Sequence, residues 1–334
     1  MSLEPLLIRM PNWLGDVVMA TSALEALHRS GRYELTLLVR EPWDHLFRAD
    51  PRVRDIIVCR DRGAGIFSTA SAIRPGRFST VVDFTHSARS WILWKLAGVQ
   101  SVRRKTPSRG QNGVHQVVRY MSVIQSMLPD HPPVPRPPHI FAPPTAAGDS
   151  HPPAVGSFPE ILLFPGAAYG PAKQWSVERY QDLVRNLLDR GHSVCLTGTA
   201  AEKPLLESIA PPCQSSVVST RSSGDSYQSL SLSAGLLLPD LARLIAASTA
   251  VISCDSGAAH LAAALGKPVV VLFFSTDPHA TAPIGFAVRP LAAAVPCRPC
   301  FLRTCPIGYL CRDSITPSHV LSALDDLLDA PARV

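Results

Sequence analysis

Short apolar runs that break into a turn of small and polar residues, and then into a helical pattern, recur along this chain on both sides of a proline-rich stretch. In the first half the runs are Pro5–Met10, Tyr33–Val39, Asp55–Val58 and Thr80–Phe84, and the clearest helix is Val17–Arg29, with Val17, Ala20, Leu24 and Leu27 at helical spacing. In the second half Ile161–Phe164, Ser193–Thr197, Ala250–Ser253 and Val269–Phe274 alternate with helices across Glu178–Arg190, near Leu238–Ala247 and over Gly257–Leu265. A last helix follows Thr316-Pro317, with Thr316 as its cap and Pro317 in its first turn. Strand–helix alternation of this kind predicts an α/β protein of two doubly wound domains facing one another.

The boundary is marked by composition. Residues 129–159 hold 11 prolines, which can continue neither a helix nor a central strand and read as an extended linker. The expected domains are 1–150, ending in this linker, and 151–334. The serine-rich stretch Ser215–Ser233 reads as a mobile surface excursion.

No apolar run reaches the ~18 residues of a membrane span, and the first apolar patch, Leu6-Leu7-Ile8, is too short for a secretory signal. The expected location is cytoplasmic. The formal charge is +6, and its whole excess lies in residues 1–150, with 19 Lys and Arg against 12 Asp and Glu. A basic half suggests an anionic partner, such as a phosphorylated lipid or a membrane surface; an Arg-rich solvated face is the plainer alternative. Nucleic acid is not expected. The one tight basic cluster, Arg103-Arg104-Lys105, lacks interleaved aromatics.

Three strand-to-helix turns carry chemistry. Asp255-Ser256-Gly257 ends an apolar run and opens a helix. Ser256 is the expected cap, Gly257 lets a ligand approach the backbone, and the helix dipole favours a diphosphate. Asp255 could accept from sugar hydroxyls and His260 lies one turn along; alternatively Asp255 only caps the helix and His260 packs on the sheet. The turn Pro165-Gly166-Ala167-Ala168 places small residues where bulk would block a phosphate, and Lys173 follows as a point charge, ahead of Ser176 as a helix cap. The third turn, Pro11-Asn12-Trp13-Leu14-Gly15-Asp16, offers a carboxylate and an aromatic, a pairing suited to a sugar; Asp16 is a candidate general base, or else a partner for the helix dipole. No G-x-G-x-x-G pattern accompanies it, so a nucleotide is not expected in the first half. An anion site in one domain and a base in the other suggest a transferase with its active site in a cleft.

Four of eight cysteines cluster as Cys297, Cys300, Cys305 and Cys311. A structural zinc site, metal-free thiols, and disulfide or redox use all fit this spacing, which is not that of paired knuckles.

The blocks Met10–Asp16, Phe164–Trp175, Leu196–Thr199 and Ser253–Gly257 with His260 together resemble glycosyltransferase family 9, the bacterial lipopolysaccharide heptosyltransferases, and within it the type II enzymes. The resemblance implies a GT-B fold of two facing Rossmann-like domains, the first binding acceptor and the second the nucleotide-sugar donor. It implies inverting transfer of a heptose from ADP-heptose to a phosphorylated Kdo-lipid A or heptose acceptor at the inner membrane surface. It further implies Asp16 as base, Lys173 on the donor phosphates and departing ADP, Asp255 on the donor sugar, and Ser256, Gly257 and His260 around the diphosphate. Gly166, Ala167 and Ala168 join the donor site, Thr199 and Leu236 line the adenine pocket, and Asn12 and Trp13 meet the acceptor. No cofactor is demanded, because lysine and helix dipole can do the electrostatic work of a metal, and the chain is expected to act as a monomer peripheral to the membrane. The alternatives are a type I or III heptosyltransferase, an epimerase of similar architecture, and a non-enzymatic sugar-binding protein.

Overall fold

The computed structural model describes residues 3–60, 65–73, 76–85, 87–104, 113–128, 136–142, 160–210, 218–221 and 227–330. It divides into two units, Met1–Pro144 and Thr145–Val334. Apart from residues 136–142, the expected linker lies outside the described residues.

The first unit is a five-stranded parallel sheet of β1 (Glu4–Arg9), β2 (Tyr33–Val39), β3 (Val53–Val58), β4 (Thr80–Asp83) and β5 (Ser101–Arg104), in the order β3-β2-β1-β4-β5. Helices α1 (Leu14–Arg29), α2 (Gly65–Ile73), α3 (Ala88–Leu96) and α4 (Gln116–Ile124) connect and cover it. The two-residue period of a strand sends Leu7 and its neighbours Leu6 and Ile8 to opposite faces. Leu7, Leu38 and Val81 meet Ala70 and Ile73 of α2 and Leu93 and Trp94 of α3, while α1 packs on α4. Residues 136–142 are tied back to α1, where the Ser22 hydroxyl donates to the Arg136 carbonyl at 2.6 Å and the His139 amide to Thr21 Oγ1 at 3.1 Å. Helix α1 begins at Leu14 rather than the expected Val17, which draws Asp16 into its first turn.

The second unit holds seven strands: β6 (Ile161–Phe164), β7 (Val194–Gly198), β8 (Val218–Arg221), β9 (Tyr227–Ala234), β10 (Ala250–Cys254), β11 (Val269–Phe273) and β12 (Val288–Ala292), ordered β12-β11-β10-β6-β7-β9-β8. All pair in parallel except β8, an antiparallel edge on β9. Helices α5 (Val177–Asp189), α6 (Lys203–Ile209), α7 (Leu238–Ala247), α8 (Gly257–Ala264), α9 (Pro278–Thr281), α10 (Leu310–Asp313) and α11 (Pro317–Leu328) complete the unit. Thr316 caps α11 by accepting from the His319 amide, with Pro317 in the first turn, and Ser176 caps α5 through the Arg179 amide. The core gathers Leu163, Leu196, Ile252 and Leu272 of the sheet with Tyr180, Leu183, Leu187 and Leu324 of α5 and α11.

Residues 215–217 and 222–226 of the serine-rich stretch lie outside the described residues; its described part is not the excursion expected but forms β8 and all of β9 except Ala234. Its Ser229-Leu230-Ser231-Leu232-Ser233 run is strictly alternating, a half-buried strand pattern that serine content obscures. No described helix is long and apolar enough to cross a membrane.

Candidate functional site

In open α/β sheets, ligands bind beyond the carboxyl ends of the strands where the chain reverses its direction of travel across the sheet. In the second unit the chain runs outward from β6 through β7 and β9, then returns to β10 on the other side of β6. The reversal therefore falls between β6 and β10. The Gly166 turn follows β6 and the Asp255 turn follows β10. Thr199 follows β7, and Leu236 follows β9 by way of Gly235, whose amide donates to the Gly198 carbonyl at 2.9 Å. The residues expected to meet a donor thus lie along the carboxyl edge of four successive strands.

At the centre, the Lys173 ammonium lies 2.5 Å from Asp255 Oδ2 and 3.3 Å from the Asp255 carbonyl. Thr276 Oγ1 donates to the same carboxylate oxygen at 2.7 Å. Asp255 is buried, so both bonds are needed to hold its charge out of water. Lys173 closes a turn of 3-10 helix, Pro171–Lys173, whose preceding Gly170 has φ 149°. A Cβ on Gly170 would meet the Arg303 carbonyl at 2.7 Å. That loop is braced by residues 301–312. The Ala172 amide donates to the Arg303 carbonyl at 2.9 Å, the Tyr169 hydroxyl to the Phe301 carbonyl at 2.6 Å, and the Arg312 guanidinium to the Pro171 carbonyl at 2.6 Å. Behind it, Trp175 Nε1 donates to the Arg312 carbonyl at 3.1 Å.

Ser256 stands at the N-cap of α8, yet its side chain does not cap the helix. Its hydroxyl pairs with Ser253 Oγ at 3.0 Å, so capping by Ser256, as expected from sequence, is replaced by a bond within the turn. The positive end of the α8 dipole opens beside Asp255. His260 is buried on α8. Ala167 belongs to the hydrophobic core, whereas Ala168 and Thr199 are exposed.

Glu202 was not singled out from sequence. It closes a capping box with Thr199, accepting from the Thr199 amide at 2.8 Å and its hydroxyl at 2.9 Å. Its carboxylate occupies the space a side chain at Gly166 would need, since a Cβ there would fall 2.0 Å from Glu202 Oε1. The pattern Thr199-x-x-Glu202 was the available signal. Thr276 had no comparable signal, being linked to Asp255 only through the sheet.

The four clustered cysteines are free thiols; Cys297 is exposed and the others partly so. Burial, then the neighbouring Cys305, raises the Cys311 thiol pKa. Among the described residues no three His, Cys, Asp or Glu are grouped to hold a metal ion. The chain between Cys300 and Cys311 supplies the bonds that brace the Lys173 loop.

In the first unit the reversal falls between β1 and β4. Asp16 is half-buried beyond β1 and accepts from the Tyr120 hydroxyl of α4 at 2.8 Å. Burial, and next the Asp16 charge, hold that hydroxyl well above the ordinary tyrosine pKa, so it stays a donor at neutral pH. Its ring stacks edge-on against Phe84 beyond β4, centroids 5.1 Å apart. Trp13 and Asn12 are exposed in the same loop, and the Asn12 carbonyl accepts from Trp43 Nε1 at 3.1 Å.

Comparison with known proteins places these features in context. Residues 80–310 match the model of glycosyltransferase family 9 (heptosyltransferase). Lipooligosaccharide heptosyltransferase 2 of Haemophilus influenzae is 33% identical over 130 residues, 39% of this chain; the match spans only 35% of that relative's length. Lipooligosaccharide heptosyltransferase 2 of Campylobacter jejuni is 24% identical over 96% of this chain and 97% of its own. The solved Escherichia coli ADP-heptose lps heptosyltransferase II superposes with a TM-score of 0.76 at 22% identity, covering 97% of this chain and 98% of that one. The two parallel-sheet units are thus those of the GT-B fold.

Proposed function

Since the chain belongs to glycosyltransferase family 9, we propose that it is an inverting, type II heptosyltransferase that moves a heptose from ADP-heptose to the inner core of lipopolysaccharide. We assign donor binding to residues 151–334 and acceptor binding to residues 1–150. The observation that carries the reading is the Lys173–Asp255–Thr276 group at the reversal point of the second sheet, beside the N-terminus of α8.

In this mechanism Lys173 and the α8 amides near Ser256 and Gly257 take up the charge that grows on the departing ADP. Backbone beyond β6, at Gly166, Ala167 and Ala168, approaches the phosphates without steric obstruction. Asp255 orients the donor sugar, His260 supports the diphosphate turn, and Thr199 and Leu236 border the adenine. Asn12 and Trp13 receive the acceptor sugar. Asp16 removes the proton from the acceptor hydroxyl as that oxygen attacks the anomeric carbon opposite the diphosphate, giving inversion. Tyr120, donating to Asp16, holds its carboxylate in one orientation. The cations and helix dipole supply the positive charge this reaction needs, with no metal step. The acceptor is a phosphorylated Kdo-lipid A or heptosylated core, so the enzyme works as a monomer in the cytoplasm at the inner membrane face.

The test offers a panel of sugar nucleotides with a truncated core-lipid acceptor and reads the lipid mass. The expected gain is one heptose, from ADP-heptose alone, with little ADP released when acceptor is omitted. Turnover of donor without any lipid product would defeat the reading.

A further inference from the structure

Helices α2 and α3 cover one side of the first sheet, sharing a core with Leu7 and Val81 through Ala70, Ile73, Leu93 and Trp94. The inward sides of both helices are therefore already supplied with apolar groups. The outward side of α3 is apolar as well, and α2 adds Phe67 beside the exposed Ser68 and Ser71. Phe67 of α2 is 63% exposed and Trp91 of α3 is 51% exposed, with Ile92 and Leu96 beside it at 45% and 44%. A helix on an aqueous surface ordinarily turns polar residues outward, and contiguous exposed apolar groups mark an interaction site. Among the exposed apolar groups α3 sets only cations, Arg89 and Lys95, with the Lys95 ammonium 3.8 Å from the Trp91 ring centroid.

The local sequence is strongly cationic. Between Arg62 and Leu128 the sequence holds ten Lys and Arg and a single acid, Asp83. Asp83 is fully buried and committed internally, accepting from Thr85, Ser90 and Trp94 Nε1. Asp83 also lies 3.7 Å from Arg104, and Arg77 pairs with Asp55 of β3 at 3.2 Å, so no carboxylate of this stretch is left for Arg89 and Lys95 of α3.

We propose that the α2–α3 face docks on an anionic lipid bilayer, with Phe67, Trp91, Ile92 and Leu96 entering the boundary between headgroups and acyl chains while Arg89 and Lys95 meet lipid phosphates. Tryptophan flanked by lysine and arginine is the composition that settles at such a boundary. A bilayer also matches the cations set among these apolar groups, since anionic headgroups present negative charge over the whole area. The inference rests on the proposed lipid-borne acceptor for its purpose, because such a substrate is met only at a membrane.

The experiment floats the full chain with phosphatidylglycerol–phosphatidylethanolamine vesicles and, separately, with phosphatidylcholine vesicles. Wild-type protein is expected to float with the anionic vesicles and to be released by salt. Trp91→Ser combined with Leu96→Ser should lower partitioning by roughly 10-fold or more, and so should Arg89→Glu combined with Lys95→Glu. Both variants should keep the wild-type melting temperature and its transfer rate on a soluble, delipidated core acceptor. Equal flotation of wild type and both variants overturns the proposal. So does a wild type that ignores anionic vesicles and instead self-associates through this face. Flotation that follows the variants while soluble transfer fails in all proteins supports the docking face and counts against the heptosyltransferase reading alone.

Discussion

Lys173 and Asp255, 82 positions apart in sequence, are joined by a 2.5 Å contact across the gap between the turns that follow β6 and β10. Both are largely buried, with side-chain exposures of 15% and 5%. A buried ion pair is weak evidence for stability, but removing one member strands the other. The pair therefore fixes where the ammonium stands while Thr276 donates to the same carboxylate oxygen.

Replacing Lys173 by alanine should lower kcat/KM for heptosyl transfer by roughly 100-fold or more, the scale on which loss of one group stabilising a leaving-group charge is felt. Steady-state kinetics with varied ADP-heptose measure it directly. An unchanged kcat/KM would remove Lys173 from the site.

Asp16→Asn should abolish transfer while leaving ADP-heptose affinity near wild type by calorimetry. Tyr120→Phe is gentler and more diagnostic. The tyrosine donates to the Asp16 carboxylate, and a bond to the charged form lowers a carboxyl pKa. Its loss should move the acidic limb of the kcat/KM profile to higher pH. A limb that stays in place would show that Tyr120 does not influence the titrating group.

Gly166→Ala would drive a methyl group into Glu202 Oε1, and Glu202 can yield only by giving up its bonds to Thr199. The expected cost is about 1 kcal/mol, that of a lost cap, together with a several-fold rise in donor KM. Chemical denaturation should show the Gly166→Ala, Glu202→Ala double variant no less stable than Glu202→Ala alone, in which the cap is already lost. If it does not, the clash lies elsewhere.

Burial pushes the Cys254 thiol up to about 11 from 9.0, and its partner Tyr180 upward as well. The folded state then holds the Cys254 proton more tightly than the unfolded chain does. Stability should be intact below pH 9 and fall as pH rises from 9 through 11, by up to about 3 kcal/mol from this thiol. Cys254→Ala should flatten that part of a melting-temperature profile. At pH 8 a thiol reagent should label exposed Cys297 quickly and Cys254 only on unfolding.

Much of the scaffold was legible because doubly wound sheets write themselves as buried apolar runs followed by turns and amphipathic helices. β6, β10 and β11, and with them the Gly166 and Asp255 turns, follow directly from that code. β9 did not, since alternating leucine and serine look polar until read with a period of two. Tyr120 could not be found from local pattern at all. It reaches Asp16 from 104 residues away, through the packing of α4 on α1, a relationship set by topology. Ser256 illustrates the opposite failure, in which a favourable residue at the N-cap position bonds a neighbouring hydroxyl instead.

The strap of residues 301–312 across the Lys173 loop also has a consequence for biosynthesis. On the ribosome, the lysine turn emerges long before the segment that tethers it. A nascent or clipped chain ending ahead of Phe301 could assemble β6, β7 and β10 and pair Lys173 with Asp255 while the backbone of the lysine turn stays unbraced. The bracing of the lysine turn would then wait for residues 301–312 rather than arrive with completion of the central strands.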